Sequence, residues 1–397
     1  MKLWLIISGT ALALFLFSTI FLIVRAGNFE FLKTRSRKIR LLAGTLIVAG
    51  TLVAVHSLLG FVNALVVALY FTMIWIVCDI ASAIFCRIRR QPFPRYYAGY
   101  CAVALSLAAL GFGWYQAHHV VMTSYELTSE KIGGNAKIAF IADAHLGTTF
   151  DADGFKKELE KIQRERPDLL AIVGDFVDDD SPREMMVEAV KALGEIKTTW
   201  GVYFVFGNHD KAYYGAARRG FSAKDLVDEM EKSGIVVLRD ESRTLGNAIE
   251  LIGRRDFSVE RESNGKRLSM TELTRNVDPA RYQIVLDHQP ADYENQAAAN
   301  VDLVLSGHTH GGQLFPFNKI GKWIGANDRV YGHERRGNTD FIVTSGISDW
   351  AIKFKTGTVS EFVIVKIRGN GFLVGRKPHH FFGKTEKIGL VTGHIKI

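Results

Sequence analysis

KIAFIADAHLG, residues 137–147, is a short apolar run that ends on an acid and an imidazole two positions apart. The same construction recurs four times. LLAIVGDFVD (169–178) ends on Gly174-Asp175 and Asp178, and VYFVFGNHD (202–210) on Asn208-His209-Asp210. QIVLDHQP (283–290) ends on Asp287-His288, and LVLSGHTHGG (303–312) on His308 and His310. Each run has the length and apolar content of a buried strand. The stretches that follow each of the first three, Gly154–Arg164, Arg183–Leu193 and Ala223–Lys232, carry the 3.6-residue pattern of amphipathic helices. Val236–Leu238, Ile249–Ile252, Phe341–Thr344 and Phe362–Ile367 read as further strands. Strand–helix alternation followed by mainly strands predicts a layered α/β domain. Its polar residues then lie at the C-terminal strand ends, where open α/β sheets place their sites.

Five His/Asp-bearing strand ends would make a poor hydrophobic core, because unpartnered buried polar groups are costly. Carboxylate, imidazole and amide oxygen together suit divalent ions such as Mn, Fe or Zn. The flanking glycines let backbone and ligand approach closely. One Asp-x-His pair means little; five such ends in order argue for a metal centre.

The order D-x-H, G-D-x-x-D, G-N-H-D, H, G-H-x-H resembles the calcineurin-like metallophosphoesterases over roughly residues 136–368. The resemblance implies a sandwich of two mixed β-sheets flanked by helices, with two divalent metal ions at one end. It implies that Asp143, His145 and His310 hold the first ion, that Asn208, His288 and His308 hold the second, and that Asp175 bridges both. His209 is implied to face the substrate as a catalytic group, with Asp210 orienting it. Asp178 stands between a supporting role behind the ligands and a surface role. The implied reaction is two-metal hydrolysis of a phosphate ester, in which the ions lower the pKa of bound water and neutralise phosphoryl charge. LDHQP (286–290), HTHGGQLFP (308–316) and SGISDW (345–350) are similar to the membrane-linked bacterial branch, as is Gly253-Arg-Arg-Asp256. Arg254 and Arg255 are candidate substrate-phosphate groups through charge-assisted hydrogen bonds; the alternative is a solvated pair.

The first 117 residues are of another kind. Leu3–Val24, Leu41–Leu59, Phe61–Phe85 and Ala98–Gln116 are each apolar over about the ~20 residues a bilayer span needs. The expected organisation is a four-helix transmembrane region (1–117), a linker (118–135) and a catalytic domain (136–397). Residues 1–125 carry a net charge of +9 and the remainder −1, so the basic excess belongs wholly to the apolar part. A nucleic-acid binder carries its basic surface on the soluble domain, and no nucleic-acid partner is expected. All three cysteines lie before residue 102, which excludes a disulfide framework or Cys-ligated zinc in the catalytic part. The basic loops after the first span (Arg25 to Arg40) and after the third (Arg87 to Arg95) place both on the cytoplasmic side by the positive-inside rule. The catalytic domain is then extracytoplasmic on a bacterial cell membrane. Asp79 and His56 fall inside spans, where ionisable groups are functional candidates; for Asp79 the alternative is contact with the interface or Arg87.

LFPFNKIGKWIG (314–325) alternates aromatic and Lys residues directly after the metal motif. That composition suits a membrane-facing lip; packing beneath the loop is the alternative. The basic tail from Arg376 to Lys396, with His379 and His380, carries no motif and reads as surface strand and loop. The sequence thus predicts a membrane-anchored hydrolase of a phosphomonoester or phosphodiester, with a lipid- or envelope-linked substrate as one class. A pyrophosphohydrolase of the UDP-diacylglucosamine type and a non-catalytic membrane scaffold are the alternatives. The predicted orientation opposes the former, and the complete ligand set opposes the latter.

Overall fold

The computed structural model describes residues 2–212, 215–261 and 265–369, so the Arg376–Lys396 tail lies outside the described residues. Four helices, Lys2–Ala26, Arg37–Leu59, Phe61–Arg89 and Tyr97–His118, lead the chain. All four are long and apolar enough to cross a membrane. They coincide with the expected spans and extend the second and third by four residues each, most of them charged. Asp79 pairs with Arg25 of the first helix at 2.9 Å instead of with Arg87. His56 lies exposed on its helix, edge-on to Phe61.

The rest is a sandwich of two six-stranded sheets. The strands are β1 (Val120–Ser129), β2 (Asn135–Ile141), β3 (Leu169–Val173), β4 (Val202–Val205), β5 (Val236–Val237), β6 (Glu241–Leu245), β7 (Ile249–Gly253), β8 (Tyr282–Leu286), β9 (Leu303–Ser306), β10 (Gly332–Arg336), β11 (Thr339–Val343) and β12 (Ser360–Gly369). One sheet runs β1-β12-β2-β3-β4-β5 and the other β10-β11-β9-β8-β7-β6. Both are mixed: β2, β3, β4 and β5 are parallel, as are β7, β8, β9 and β11, while β12 opposes β2 and β6 and β10 oppose their neighbours.

Because strand side chains alternate, each central strand needs apolar residues on both faces. Ile138 and Phe140 of β2 enter the layer between the sheets with Val173, Leu251, Ile284 and Leu305. Ala139 and Ile141 face the other way, against Phe155, Leu159, Ala189, Leu193 and Met230 of the helices Ala152–Arg164, Arg183–Gly194 and Ala223–Lys232. The far face of the second sheet is closed by Met270, Tyr293 and Val301 over Ile252, Val285 and Phe341. Five strand ends thereby emerge at one edge.

The segment 118–135 is not the expected linker. β1 lies parallel to β12 in a ten-residue register from Val120↔Ser360 to Ser129↔Gly369. The catalytic sheet therefore begins almost where the fourth helix ends, and a cut near residue 126 would sever an edge strand.

Further contacts lock the sandwich to the helices. Asn63 donates to Ala351 O at 2.9 Å and accepts from Lys353 N at 2.8 Å. Tyr70 donates to Phe315 O and bonds Thr356 Oγ1. Lys355 N donates to Gly113 O, and Phe354 packs with Val66, Val67 and Leu110. A buried backbone donor left without a partner costs about 1–3 kcal/mol. Asn63→Ala is therefore expected to accelerate hydrogen exchange at Lys353 N–H, with the Ile284 amide of β8 unchanged. Equal exchange in both proteins would show that Asn63 holds nothing.

Candidate metal centre and active site

The loops that carry the polar residues turn sharply. Asp143, His145, Asp175, His308 and His310 all have positive φ, between 36° and 69°. For non-glycine residues such geometry costs of order 1–3 kcal/mol each and persists only where the surroundings impose it. It rotates each side chain off its strand toward a common point. Space between the loops is minimal: a Cβ on Gly207 would lie 2.1 Å from Asp175 Oδ1, and one on Gly174 would lie 2.5 Å from His288 Nδ1.

Asp143, His145 and His310 offer ligand atoms within 4.8 Å of one another, and so do Asp175, His288 and His308. The first group has the three residues implied for one ion, the second joins two of those implied for the other to Asp175, and His145, Asp178 and His209 form a further group. Asp175 also connects to the β4 end, where His209 N donates to its Oδ1 at 2.8 Å. Asn208 is buried one residue earlier.

The donor set fits divalent ions by its lone pairs. His288 Nδ1 donates to Val173 O at 2.8 Å, so in the neutral ring Nε2 carries the lone pair. That nitrogen points at Asp175 Oδ2 from 3.1 Å yet makes no hydrogen bond of acceptable geometry. His310 repeats the pattern: Nδ1 lies 3.4 Å from Ser348 O, and Nε2 lies 3.9 Å from Asp143 Oδ1. Among the described residues both ring nitrogens of buried His145 lack hydrogen bonds of acceptable geometry, with Asp178 3.3 Å from Nδ1 and Asp175 3.7 Å from Nε2. A ring fixed by a backbone carbonyl on one nitrogen with the other free for metal is the usual outer-shell device.

The electrostatics agree. Burial pushes the Asp143 carboxyl up to about 6, and the nearby Asp175 carboxylate adds to the rise. Burial holds His310 well below the usual imidazole range, with His145 contributing, and brings His308 down to about 4, with His288 contributing. Asp143 therefore resists ionisation, whereas burial of Asp175 is outweighed by His288 and His145, which hold its carboxyl well below the usual carboxylate range; the neutral His308 and His310 keep their lone pairs for a cation. The exception is His288: burial opposes its charge, but Asp175 outweighs it and raises the pKa well above normal. A proton there takes the place that an ion would fill.

His209 faces this cluster, its ring 4.9 Å from His145 and 5.1 Å from the half-exposed Trp350. Its Nδ1 lies 3.0 Å from Asp178 Oδ1. This corrects the expectation for Asp210. The buried Asp210 carboxylate accepts backbone N–H bonds from Asp175, Phe176, Val177 and Gly207 at 2.7–3.1 Å. It ties the β3 loop to the β4 loop, and Asp178 takes the His209 ring. Burial would lower the His209 pKa, but the Asp178 hydrogen bond and the Asp175 and Asp178 charges reverse it, and the net shift is upward.

Arg254 is likewise not placed as a phosphate ligand. It is 3% exposed, with Nη1 on Asp287 at 3.1 Å and on Asp292 at 2.6 Å. Arg267, also buried, joins Asp287 at 2.7 Å. These guanidiniums neutralise the acid that precedes His288. Arg255 is exposed, and its Nη1 donates to Lys266 O.

One element escaped the sequence reading. Lys355, fully buried, donates to Ser345 O at 2.9 Å, Ser348 O at 3.0 Å and Ser360 Oγ at 3.0 Å. It closes the loop whose Ser348 O meets His310 and whose Gly346 packs against Asp143. A lone Lys in a polar loop gives no sign of this in sequence.

Fold and site together define a metal-dependent phosphohydrolase. Residues 136–312 match the family model for calcineurin-like phosphoesterases. Over 265 residues the chain is 31% identical to an uncharacterized metallophosphoesterase of Aquifex aeolicus, covering 64% of this chain and 95% of that one. It is 29% identical over 236 residues to an uncharacterized metallophosphoesterase of Campylobacter jejuni, 59% of each chain. A Bos taurus transmembrane protein with metallophosphoesterase domain is 28% identical over 234 residues, 57% of this chain and 51% of that one. The chain belongs to the calcineurin-like metallophosphoesterase family, whose members use two divalent metals.

An ion that binds only the folded state stabilises it by about 2.7 kcal/mol at a hundredfold excess over its Kd. Adding Mn to metal-stripped protein is therefore expected to raise its thermal midpoint. Asp175→Asn, which removes charge from the centre of the cluster, should abolish that rise; an undiminished rise would place the ions elsewhere.

Proposed function

We propose that this chain is a membrane-anchored dinuclear phosphoesterase that hydrolyses a lipid- or envelope-linked phosphomonoester or phosphodiester on the extracytoplasmic side of a bacterial membrane. In this reading Asp143, His145 and His310 hold one ion, Asn208, His288 and His308 the other, and Asp175 both. When bound, such ions polarise phosphoryl oxygens and lower the pKa of water. The chain's own residues supply the rest. His209, kept protonated by Asp178, donates to the leaving oxygen. Trp350 flanks its ring, and Asp210 fixes the loops that set its distance from Asp175.

The observation that carries the membrane part is the seating of the active-site loops on the helices. Tyr70, which donates to Phe315 O, lies nine residues into the Phe61–Arg89 helix, about 13 Å from its start at 1.5 Å per residue. The loop 351–356 is held by Asn63 and Gly113, and Trp350, beside His209, directly precedes it. Phe315, Phe317, Trp323 and Ile324 are exposed instead of packed beneath the loop, so a site opening at this level meets substrates in the bilayer. The basic loops at Arg25–Arg40 and Arg87–Arg95 support the orientation.

The direct test uses the full chain in detergent, metal-stripped and then given Mn, Zn, Fe, Ni or Mg in turn, on bis-p-nitrophenyl phosphate and p-nitrophenyl phosphate. Metal-dependent turnover is expected, with His209→Ala lowering kcat by roughly 10²–10⁴ while both ions stay bound. Two ions per chain and no turnover on any phosphate ester would overturn the catalytic reading. The pH profile adds a second check. Asp178 raises the His209 pKa, so Asp178→Asn should lower it, and the alkaline limb of kcat should move to lower pH; an unmoved limb would remove His209 as the acid.

A further inference from the structure

Beneath the 314–325 lip lies a cavity of about 460 Å³, lined among others by Asn318, Lys319, Lys322, Trp323, Arg329 and Tyr331. None of the seven proposed metal ligands lines it, although Gly311, next to His310, forms part of its wall. Lys319 and Lys322 have no carboxylate partner among the described residues. Arg329 donates Nη1 to Glu334 and Nε to Gly332 O at the back of the cavity. No Asp or Glu occurs from Leu303 to Asn327. In a soluble part whose net charge is −1, the pocket is locally cationic, with Lys319 and Lys322 lacking a carboxylate partner among the described residues.

Two further observations say which anion it fits. The rim is apolar: Trp323 is 71% exposed and Ile324 68%, with Phe315, Phe317 and Ile320 beside them. Large exposed apolar patches are rare on soluble surfaces, and Trp with Lys at one level is the composition of a membrane interface. The same lip is tied through Phe315 O to Tyr70, well inside an apolar helix. A soluble anion would have no use for that rim, whereas a phospholipid needs both halves: cations for its phosphate and an apolar shoulder for its chains.

We infer that this cavity is a binding site for the headgroup phosphate of an anionic phospholipid, separate from the metal centre, and that the lipid seats the lip in the plane of the membrane. The inference rests on the membrane reading proposed above and not on the catalytic one. Lys319 and Lys322 hold the phosphate, and the exposed Trp323 and Ile324 lie along the acyl chains. Because the cavity abuts the loop of His310, an occupied site would hold that loop at a fixed depth.

The test measures lipid retained by the full chain, metal-loaded in detergent, by native mass spectrometry. The probes are phosphatidylglycerol, phosphatidylcholine, glycerophosphate and inorganic phosphate. Basic residues at an anionic surface contribute about 1 kcal/mol each, so Lys319→Gln/Lys322→Gln should weaken phosphatidylglycerol binding about thirtyfold. Lys319→Arg/Lys322→Arg should retain it, and phosphatidylcholine should bind no tighter to wild type than to the Gln variant. Equal phosphatidylglycerol retention by wild type and the Gln variant would overturn the site. Displacement by inorganic phosphate as effective as by phosphatidylglycerol would make it a free-anion pocket and overturn the lipid assignment. Turnover of p-nitrophenyl substrates, followed in parallel, separates this outcome from a failure of the phosphoesterase reading.

Discussion

His288 Nε2 and Asp175 Oδ2 stand 3.1 Å apart, each presenting a lone pair to the other. Lone pairs this close call for a proton or a metal cation at the imidazole nitrogen, and much else in the fold serves to keep the two groups there. Val173 O fixes the ring, Gly174 and Gly207 let the β3 and β4 loops close to backbone contact beside the His288 ring, and Asp210 pins those two loops with four N–H bonds. Five left-handed non-glycine residues surround the same point. The two sheets contribute to it jointly, β2, β3 and β4 from one and β8 and β9 from the other, so the centre exists only where the sandwich is assembled. Backbone strain stored at such a point is offset by the packing that imposes it.

The helical region is built into this centre and is more than a tether. β1 joins the catalytic sheet two residues after the fourth helix ends. The loop from Ser345 to Phe354 then runs from the His310 side chain to the helices, with Lys355 gathering its carbonyls and Asn63 and Gly113 gripping its far side. The His/Asp cluster and the helix ends are therefore separated by one continuous hydrogen-bonded loop. A change in how the helices pack would be felt first at Ser348 and Trp350.

Much of this was legible in the residues. The central strands were readable because burial on both faces leaves unbroken apolar runs, and the convergence of His and Asp side chains because five runs end in the same chemistry. The edges were not. β6 and β10, Glu241–Leu245 and Gly332–Arg336, are polar strands whose pairing depends on neighbours far along the chain. β1 alternates toward solvent and sits where a linker was expected. Side-chain partnership was the weakest inference. The family resemblance implied that Asp210 orients His209, but the tight turn after Gly207 directs Asp210 inward to the backbone, and Asp178, three residues past Asp175, reaches the ring instead. Arg254 looked like a phosphate ligand because nothing local reveals Asp287 or Asp292 waiting for it.

The measurement that bears most directly on the account is a crystal structure of the full chain grown with Mn, with the ions located by anomalous scattering. Two ions are expected about 3.5–4 Å apart, the spacing of two-metal hydrolytic sites, with Asp175 between them, His310 on one and His288 on the other. A single ion, or ions that leave Asp175 uncoordinated, would contradict it.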